Sequence, residues 1–365
     1  MKPLMDEWGV VERLLPQGWQ AAARELGAFR RARYIKDPAT LLRVLLFHAV
    51  NDSGLRQSAA LLRAGGVASL SQVALLKRLR TARVWLARLA AGMCEQLREG
   101  PRPGGAMRLR VLDSTTVQGP ASRGIQWRLH YALDLANLQC DWQELTGVDG
   151  AERLERLPVR EGDVILADRY FLTATGMAHL SAAGAHAVIR LRWKHLRMED
   201  AKGRICRALD LAKRLKVGKT GDWPVYLPLP DGQRSAGRIV ALRLPAPLAK
   251  RAQRRAQRVA RKKQYRLDPR TLEAARYVFV FTSLPAERLS AADVLELYRY
   301  RWQVELAFKW LKQLLKLGRL PHKNPAAAAG WIQAKLVVAL LLETLFRSAR
   351  IFSPWGYDIA TWHAP

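Results

Sequence analysis

A change in hydrophobic pattern near residue 105 sets the strongest limit on how this chain can fold. Beyond it, Met107–Asp113 alternates between apolar and polar residues, and so do Trp127–Leu135 and part of Leu138–Leu145. Alternation with a period of two is typical of β-strands, so three consecutive strands are predicted. Asp163–Asp168 is apolar between its two terminal acids, which indicates a strand buried at the centre of a sheet. The pattern therefore favours an α/β fold.

The first hundred residues have a helical pattern instead. Asp37-Pro38 is typical of a helix start, and Ser71 is a predicted cap for a second helix that carries Lys77 and Arg78. Short helices followed by a basic helix are compatible with a DNA-binding domain, in which Lys77 and Arg78 contact DNA. A small helical bundle with a solvated basic face has the same pattern, so both interpretations stay open.

A further helix is predicted near the C-terminal end, over 298–312. Its face would carry side chains at offsets 0, 3, 7 and 14, namely Tyr298, Arg301, Glu305 and Lys312. At about 100° per residue these four lie within a stripe roughly 60° wide. The ring and the two cations can bind a DNA phosphate backbone. The carboxylate would repel a phosphate unless a metal ion lies between the two groups. The stripe therefore indicates metal-assisted chemistry on nucleic acid.

The amino-acid composition also indicates a nucleic acid as the partner. The chain of 365 residues has 61 Lys and Arg against 31 Asp and Glu, a formal net charge of +30, and 49% hydrophobic residues. A folded protein with this charge repels itself unless a polyanion neutralises it, so a nucleic acid is the expected partner.

The location is predicted from the cysteines and the apolar stretches. The three cysteines are scattered, which favours a reducing compartment, and a cytoplasmic, nucleoid-associated protein is expected. The longest apolar stretch, Leu336–Phe346, is short for a membrane span and contains Glu343, so no membrane partner is expected.

The segment 250–270 holds ten Lys or Arg residues, and its only acid is Asp268. Such a segment would contact phosphates without reading sequence, although a solvated helix within a loop explains it too. The candidate DNA contacts here are Arg254, Arg255, Arg258, Arg261 and Lys262.

Three acids are candidates for the chemistry. Asp113 ends the first predicted strand, Asp168 ends the buried strand, and Glu305 lies on the basic helix. If the two strands are neighbours and the helix packs across them, the three carboxylates converge and bind divalent cations. Two Mg²⁺ ions about 3.5–4 Å apart can activate a water or a 3′-hydroxyl. Aspartate at a strand end also serves simply as a turn former, which is how Asp149 and Asp163 are interpreted.

These residues resemble a family, the DDE transposases of the insertion-sequence-four group. The family pattern Y-x2-R-x3-E-x6-K is similar to the spacing of Tyr298, Arg301, Glu305 and Lys312. The segments 111–115 with 128–135, and 162–171 with 187–190, resemble its first and second aspartate regions. Where the second region often has glycine after the arginine, this chain has Tyr170.

The resemblance implies a fold and a site. The fold is a ribonuclease-H-like mixed sheet flanked by helices, with a β-rich insertion and an N-terminal helical domain. Asp113, Asp168 and Glu305 would bind two divalent ions, Mg²⁺ or alternatively Mn²⁺. Tyr298, Arg301 and Lys312 would hold the DNA strand end. The implied partners are double-stranded DNA, namely the terminal inverted repeats and the target, and a second copy of the chain in a homodimer on DNA.

The expected domains follow from these patterns. A helical DNA-binding domain is predicted over 1–100, a catalytic core over 106–192 and 275–350, a β-rich insertion with the basic segment over 193–274, and a C-terminal tail over 351–365. The expected activity is cut-and-paste transposition by metal-dependent nicking and strand transfer from a 3′-hydroxyl. Two alternatives remain: a catalytically silent DNA-binding protein derived from a transposase, and a metal-dependent nuclease on the same core.

Overall fold

The computed structural model describes residues 8–51, 53–98, 107–120, 125–147, 149–194, 196–318 and 320–348. The predicted tail 351–365 lies outside these residues. The described part alternates between helices and strands. The helices are α1 Trp8–Arg13, α2 Trp19–Glu25, α3 Pro38–Val50, α4 Leu55–Ala64, α5 Gln72–Arg98, α6 Ala174–Ala182, α7 Ala208–Ala212, α8 Ala246–Lys262, α9 Pro269–Ala274, α10 Ala291–Arg299, α11 Gln303–Gln313 and α12 Pro325–Ser348.

Ten strands form a mixed sheet in the order β3-β2-β1-β4-β5-β10-β9-β8-β6-β7. Their bounds are β1 Arg108–Gln118, β2 Ile125–Asp134, β3 Gln139–Thr146, β4 Asp163–Ala167, β5 His186–Arg190, β6 Met198–Glu199, β7 Ile205–Cys206, β8 Thr220–Pro228, β9 Arg234–Arg243 and β10 Tyr277–Thr282. The sheet is flanked by helices, and the predicted α/β class with a mixed sheet is confirmed.

The chain divides into two compact units. Of the described residues, the first unit comprises those within 8–98, 114–151 and 305–348, and the second comprises those within 107–113 and 152–304. The predicted division into an N-terminal domain, a catalytic core and an insertion remains a prediction.

Helix caps in the first unit follow from its sequence. The Asp37 carboxylate accepts a hydrogen bond from the Thr40 backbone N–H at 2.6 Å, and Pro38 occupies the first turn of α3. The Ser71 hydroxyl accepts one from the Ala74 N–H at 3.2 Å and begins α5. Each cap satisfies a backbone donor that the first helical turn leaves without a partner. Both predicted helix starts are therefore confirmed.

The longest helices of the first unit, α5 and α12, pack against each other. Gly330 of α12 permits this approach, because a methyl group there would overlap the Leu79 carbonyl oxygen of α5. Helix α12 is long and apolar enough to cross a membrane over Pro325–Phe346, but 78% of the 18-residue window that meets this criterion is buried inside the protein. The prediction of a short apolar stretch was wrong, since α12 starts eleven residues before Leu336 with an alanine-rich run that packs as core.

Glu343 connects α12 to the strand pair β2–β3. Its carboxylate accepts hydrogen bonds from the Tyr131 hydroxyl at 3.1 Å and from the Cys140 backbone N–H at 2.9 Å. Burial raises the pKa of Glu343 to about 7, while the two hydrogen bonds act in the opposite direction. A half-buried titratable group thus joins α12 to the strand pair β2–β3.

The second unit contains the parallel part of the sheet. Strand β1 pairs with β4 in parallel, and β4 pairs with β5 in parallel. Strand β10 runs antiparallel to β5, and β9 runs antiparallel to β10. All five residues of β4 are buried, as the apolar run predicted. Since β1, β4 and β5 run in the same direction, their carboxyl ends lie at one edge of the sheet.

A buried ion pair crosses β1 and β4 near their amino ends. Arg110 is fully buried, and its guanidinium donates to the Asp163 carboxylate at 3.1 Å and to the Pro158 carbonyl at 2.7 Å. The Arg108 guanidinium lies 3.7 Å from the same carboxylate. The interpretation of Asp163 as a turn residue was wrong. Successive residues of β1 and all of β4 are buried, so both faces of these strands are covered and the charges are buried and paired.

The predicted helix over 298–312 is interrupted. Helix α10 ends at Arg299, a 3₁₀ turn spans Tyr300–Trp302, and α11 begins at Gln303. A 3₁₀ turn has three residues per turn, about 120° per residue, so the calculated 60° stripe does not hold across it. Ser290 caps α10, since its hydroxyl accepts a hydrogen bond from the Asp293 N–H at 3.3 Å.

Candidate active site

Two of the predicted catalytic acids lie side by side on neighbouring strands of the second unit. The prediction that Asp113 ends its strand was wrong, because β1 continues to Gln118 beyond its pairing with β4. The register pairs Leu112 of β1 with Ala167 of β4, and Asp113 and Asp168 are the next residues along each strand. Neighbouring strands are about 4.8 Å apart, so the two aspartates are adjacent at the carboxyl edge of the sheet. Both side chains are half-buried. Two carboxylates this close repel each other unless a cation lies beside them.

Arg301 supplies a positive charge to this pair. Its guanidinium donates to the Asp113 carboxylate at 3.0 Å, and the exposed fractions of the two side chains are 17% and 18%. The 3₁₀ turn after α10 holds Arg301 at this position. Arg301 is thus linked directly to a predicted catalytic acid.

Tyr298 lies in the same electrostatic environment. Burial raises the pKa of its hydroxyl to about 12, with Arg301 acting in the opposite direction and Asp168 adding to the rise. The phenol therefore stays protonated at neutral pH and keeps a hydrogen-bond donor. The second unit brings together four of the predicted site residues: Asp113, Asp168, Tyr298 and Arg301.

Glu305 and Lys312 belong to the first unit, on α11. Seven residues separate them, which is about two helical turns, so both lie near one face. Glu305 is exposed in the first turn of the helix, where a carboxylate is favourable. Lys312 is half-buried in the last turn, and burial lowers the pKa of its ammonium. That Glu305 joins the two aspartates remains a prediction.

The carboxylates of Asp113 and Asp168 are possible ligands of a divalent metal ion. Within the described parts of the chain, no group of three His, Cys, Asp or Glu side chains could hold a metal ion as it stands. The donor type nevertheless fits, because Mg²⁺ and Mn²⁺ prefer carboxylate oxygens, and Asp113 and Asp168 present two carboxylates side by side. The pair can supply part of a divalent-ion site.

The remaining predicted DNA contacts lie on two helices. Lys77 is exposed and Arg78 is half-buried on α5. On α8 the five predicted contacts are all exposed, and the described buried residues of this helix are Ala249 and Ala260. Helix α8 therefore presents a continuous cationic surface: Arg254, Arg255, Arg258, Arg261 and Lys262.

The sequence reasoning missed one feature beside the site. Tyr170 follows Asp168 by two residues, and the Arg192 guanidinium lies 3.8 Å from the centre of its ring. The sequence contains a hint of this contact between Tyr170 and Arg192, since Tyr170 departs from the usual motif and Arg192 follows β5, which is parallel to β4.

Comparison with known proteins identifies the class. The profile of the family described as "Transposase DDE domain" matches residues 104–341, well over half of the chain. The chain belongs to the DDE transposases, enzymes that transfer phosphoryl groups on DNA. The resemblance seen in the motifs is confirmed at the level of the family.

Its relatives are transposases of insertion sequences. The transposase for insertion sequence element IS421 of Escherichia coli is 36% identical over 358 residues, covering 96% of both chains. The InsL protein of element IS186A of Escherichia coli strain K12, also named as a transposase, is 35% identical over 357 residues, again covering 96% of both. Among solved structures, a piggyBac transposase synaptic complex with hairpin DNA is similar with a TM-score of 0.48 and 10% identity, covering 94% of this chain and 74% of that chain.

Proposed function

We propose that this transposase moves a DNA element by cutting and pasting, with Asp113, Asp168 and Glu305 as the metal-binding catalytic acids. The observation that supports this most is the adjacency of Asp113 and Asp168, which lie directly after the last residue pair of the parallel strands β1 and β4. Ligand and catalytic sites in open α/β sheets favour the carboxyl edge of the parallel strands. Family membership supplies the reaction class.

Each residue has a separate role in this proposal. The three carboxylates would hold two divalent ions, Mg²⁺ or Mn²⁺, which activate the attacking oxygen and stabilise the leaving oxygen when bound. Tyr298 would donate its hydroxyl proton to a phosphate oxygen, since its pKa of about 12 keeps it neutral. Arg301 would both orient Asp113 and face the phosphate.

Lys312 and the cationic surface of α8 would hold the DNA. A half-buried ammonium has lost part of its hydration, so a phosphate partner compensates it well. The exposed arginines of α8 would contact backbone phosphates along the duplex without reading its sequence. Lys77 and Arg78 on α5 would add further contacts. Two copies of the chain would each hold one element end.

The test uses a supercoiled plasmid that carries the gene with its flanking DNA, incubated with Mg²⁺ or Mn²⁺. The wild type should release the element and join it to a target. Asp113→Asn, Asp168→Asn and Glu305→Gln should each bind the DNA with near wild-type affinity and lose at least about a hundredfold in nicking. Asp149→Asn is a matched control, because Asp149 is exposed and lies outside the site.

The outcomes separate the three candidate functions. Joined products support a cut-and-paste transposase. Cutting without joining supports the nuclease, and binding without cutting supports the silent DNA-binding protein. Full cleavage by Asp168→Asn would contradict the assignment of the acids.

A further inference from the structure

Tyr170 presents an exposed aromatic ring beside the two aspartates. It lies in the turn that follows β4, two residues after Asp168, and 49% of its surface is exposed. The next residue, Phe171, is buried and fixes this turn, in which the Phe171 N–H donates to the Asp168 carbonyl at 3.0 Å. The position of the ring is therefore tied to the position of the catalytic edge.

Arg192 holds the ring from one side. Its guanidinium carbon is 3.8 Å from the ring centre, a stacking distance, whereas the Arg169 guanidinium carbon is 5.5 Å away. A cation over an aromatic face is attracted by the electron-rich ring and restricts its motion. The ring thus has a fixed orientation while about half of its surface stays in contact with solvent.

The strand order places this pair at the proposed site. Strands β4 and β5 are parallel neighbours, with Ala167 paired to Ile189, so the segments that carry Tyr170 and Arg192 leave the sheet at the same edge. At that edge Asp168 directly follows β4, and Asp113 lies in β1 directly after the last residue that pairs with β4. Along this edge, in the direction from β1 to β5, the carboxylates of Asp113 and Asp168 come first, the ring of Tyr170 next and the guanidinium of Arg192 last.

We infer that Tyr170, held by Arg192, is a stacking site for an unpaired nucleobase of the DNA strand next to the phosphate that reacts. The inference rests on the proposed function, because it takes the strand to pass over Asp113 and Asp168. Base stacking on an exposed aromatic ring tolerates every base, and Arg192 and Arg169 attract the adjoining phosphates. A base inside a duplex already stacks on its neighbours, so the ring favours a base that has left the helix.

The test measures binding in EDTA, where no cleavage is required. The probes are a 30-base-pair blunt duplex and the same duplex with three unpaired nucleotides at one end. The wild type should prefer the unpaired end by roughly 5- to 100-fold, the range for one base stacked on an aromatic side chain. Tyr170→Ala should lose this preference, and Tyr170→Phe should keep it because the ring remains.

A matched control comes from the same unit. Tyr226 of β8 also has a guanidinium over its ring, that of Arg234 at 4.8 Å, but it lies on a different part of the sheet. Tyr226→Ala should keep the preference of the wild type. Arg192→Ala should reduce the preference in part, since the ring remains but loses its support.

A second readout is photocrosslinking with 5-iodouracil among the unpaired nucleotides, followed by peptide mapping. A crosslink at Tyr170 supports the inference. Equal preference in the wild type and in Tyr170→Ala overturns it, even if cleavage by the wild type is normal. A wild type that binds neither duplex would overturn the proposed function itself, so the two failures are distinguishable.

Discussion

Glu343 shows how one half-buried side chain makes the stability of the first unit depend on pH. Its pKa in the folded protein is about 7, above the value of 4.5 for an exposed glutamate. The folded state therefore favours the protonated form. This contribution to stability is fully present below pH 4.5 and is lost as the pH rises through 7.

Replacing Glu343 by Gln should remove that contribution. The difference in free energy of unfolding between pH 5 and pH 8 should shrink in the variant by up to about 3 kcal/mol, the equivalent of the pKa shift. Urea unfolding at the two pH values measures it. Glu95→Gln is the control, because Glu95 is exposed on α5 and its removal changes the net charge equally. An unchanged pH dependence in Glu343→Gln would contradict the prediction.

At the residue scale, the two aspartates could be predicted and their partners could not. Asp168 was found because an apolar run shows where β4 ends, and Asp113 because hydrophobic alternation shows the strand that carries it, although β1 continues to Gln118. The ion pair of Arg301 with Asp113, and that of Arg110 with Asp163, join residues that are distant in the sequence. Pairing of this kind depends on strand order and register, which the local pattern does not contain.

At the scale of single elements, the contact of α12 with α5 depends on one glycine. A side chain at position 330 would meet the backbone of Leu79, which cannot move as a flexible side chain can. Gly330→Ala should therefore lower the free energy of unfolding by about 1–3 kcal/mol, the usual cost of overpacking a core. The urea midpoint measures this loss.

Gly9→Ala in α1 is the matched control for that variant. A methyl group at position 9 meets nothing within 4 Å. Alanine is the better helix former, so this change should leave stability equal or raise it by up to about 1 kcal/mol. If Gly330→Ala were as stable as Gly9→Ala, the two helices would have to be packed less closely than described.

The positions of several helices and strands could be predicted from the sequence, whereas the interruption of the helix predicted over 298–312 could not. Caps and apolar patterns located α3, α5 and β4, because these signals act within a few residues. The break at Tyr300–Trp302 has no glycine or proline to mark it. The prediction therefore applied a single α-helical period of about 100° per residue to a segment that consists of two helices joined by a 3₁₀ turn.

At the scale of the whole molecule, the charge of +30 should appear in the salt dependence of DNA binding. Each phosphate contact that is lost reduces the slope of log K against log salt by about 0.9. Replacing Arg254, Arg255 and Arg258 by Ala should thus reduce the slope by about 3, measured on a duplex between 50 and 200 mM salt.

The control removes the same charge elsewhere. Arg30, Arg31 and Arg33 are exposed between α2 and α3, and their triple alanine variant should leave the slope close to that of the wild type. Equal slopes in both triple variants would mean that α8 acts only through net charge. Composition alone could predict a polyanion as the partner, whereas it could not predict which surface meets it.

The burial of α12 against α5 has a consequence for how the chain is made. Helix α5 ends at Arg98 and α12 begins at Pro325, so about 230 residues separate them in the order of synthesis. At roughly 5–20 residues per second, a ribosome needs on the order of ten to fifty seconds to supply the missing partner. During this interval the apolar faces of α3 and α5 have no α12 to cover them, and the nascent chain is expected to depend on chaperones.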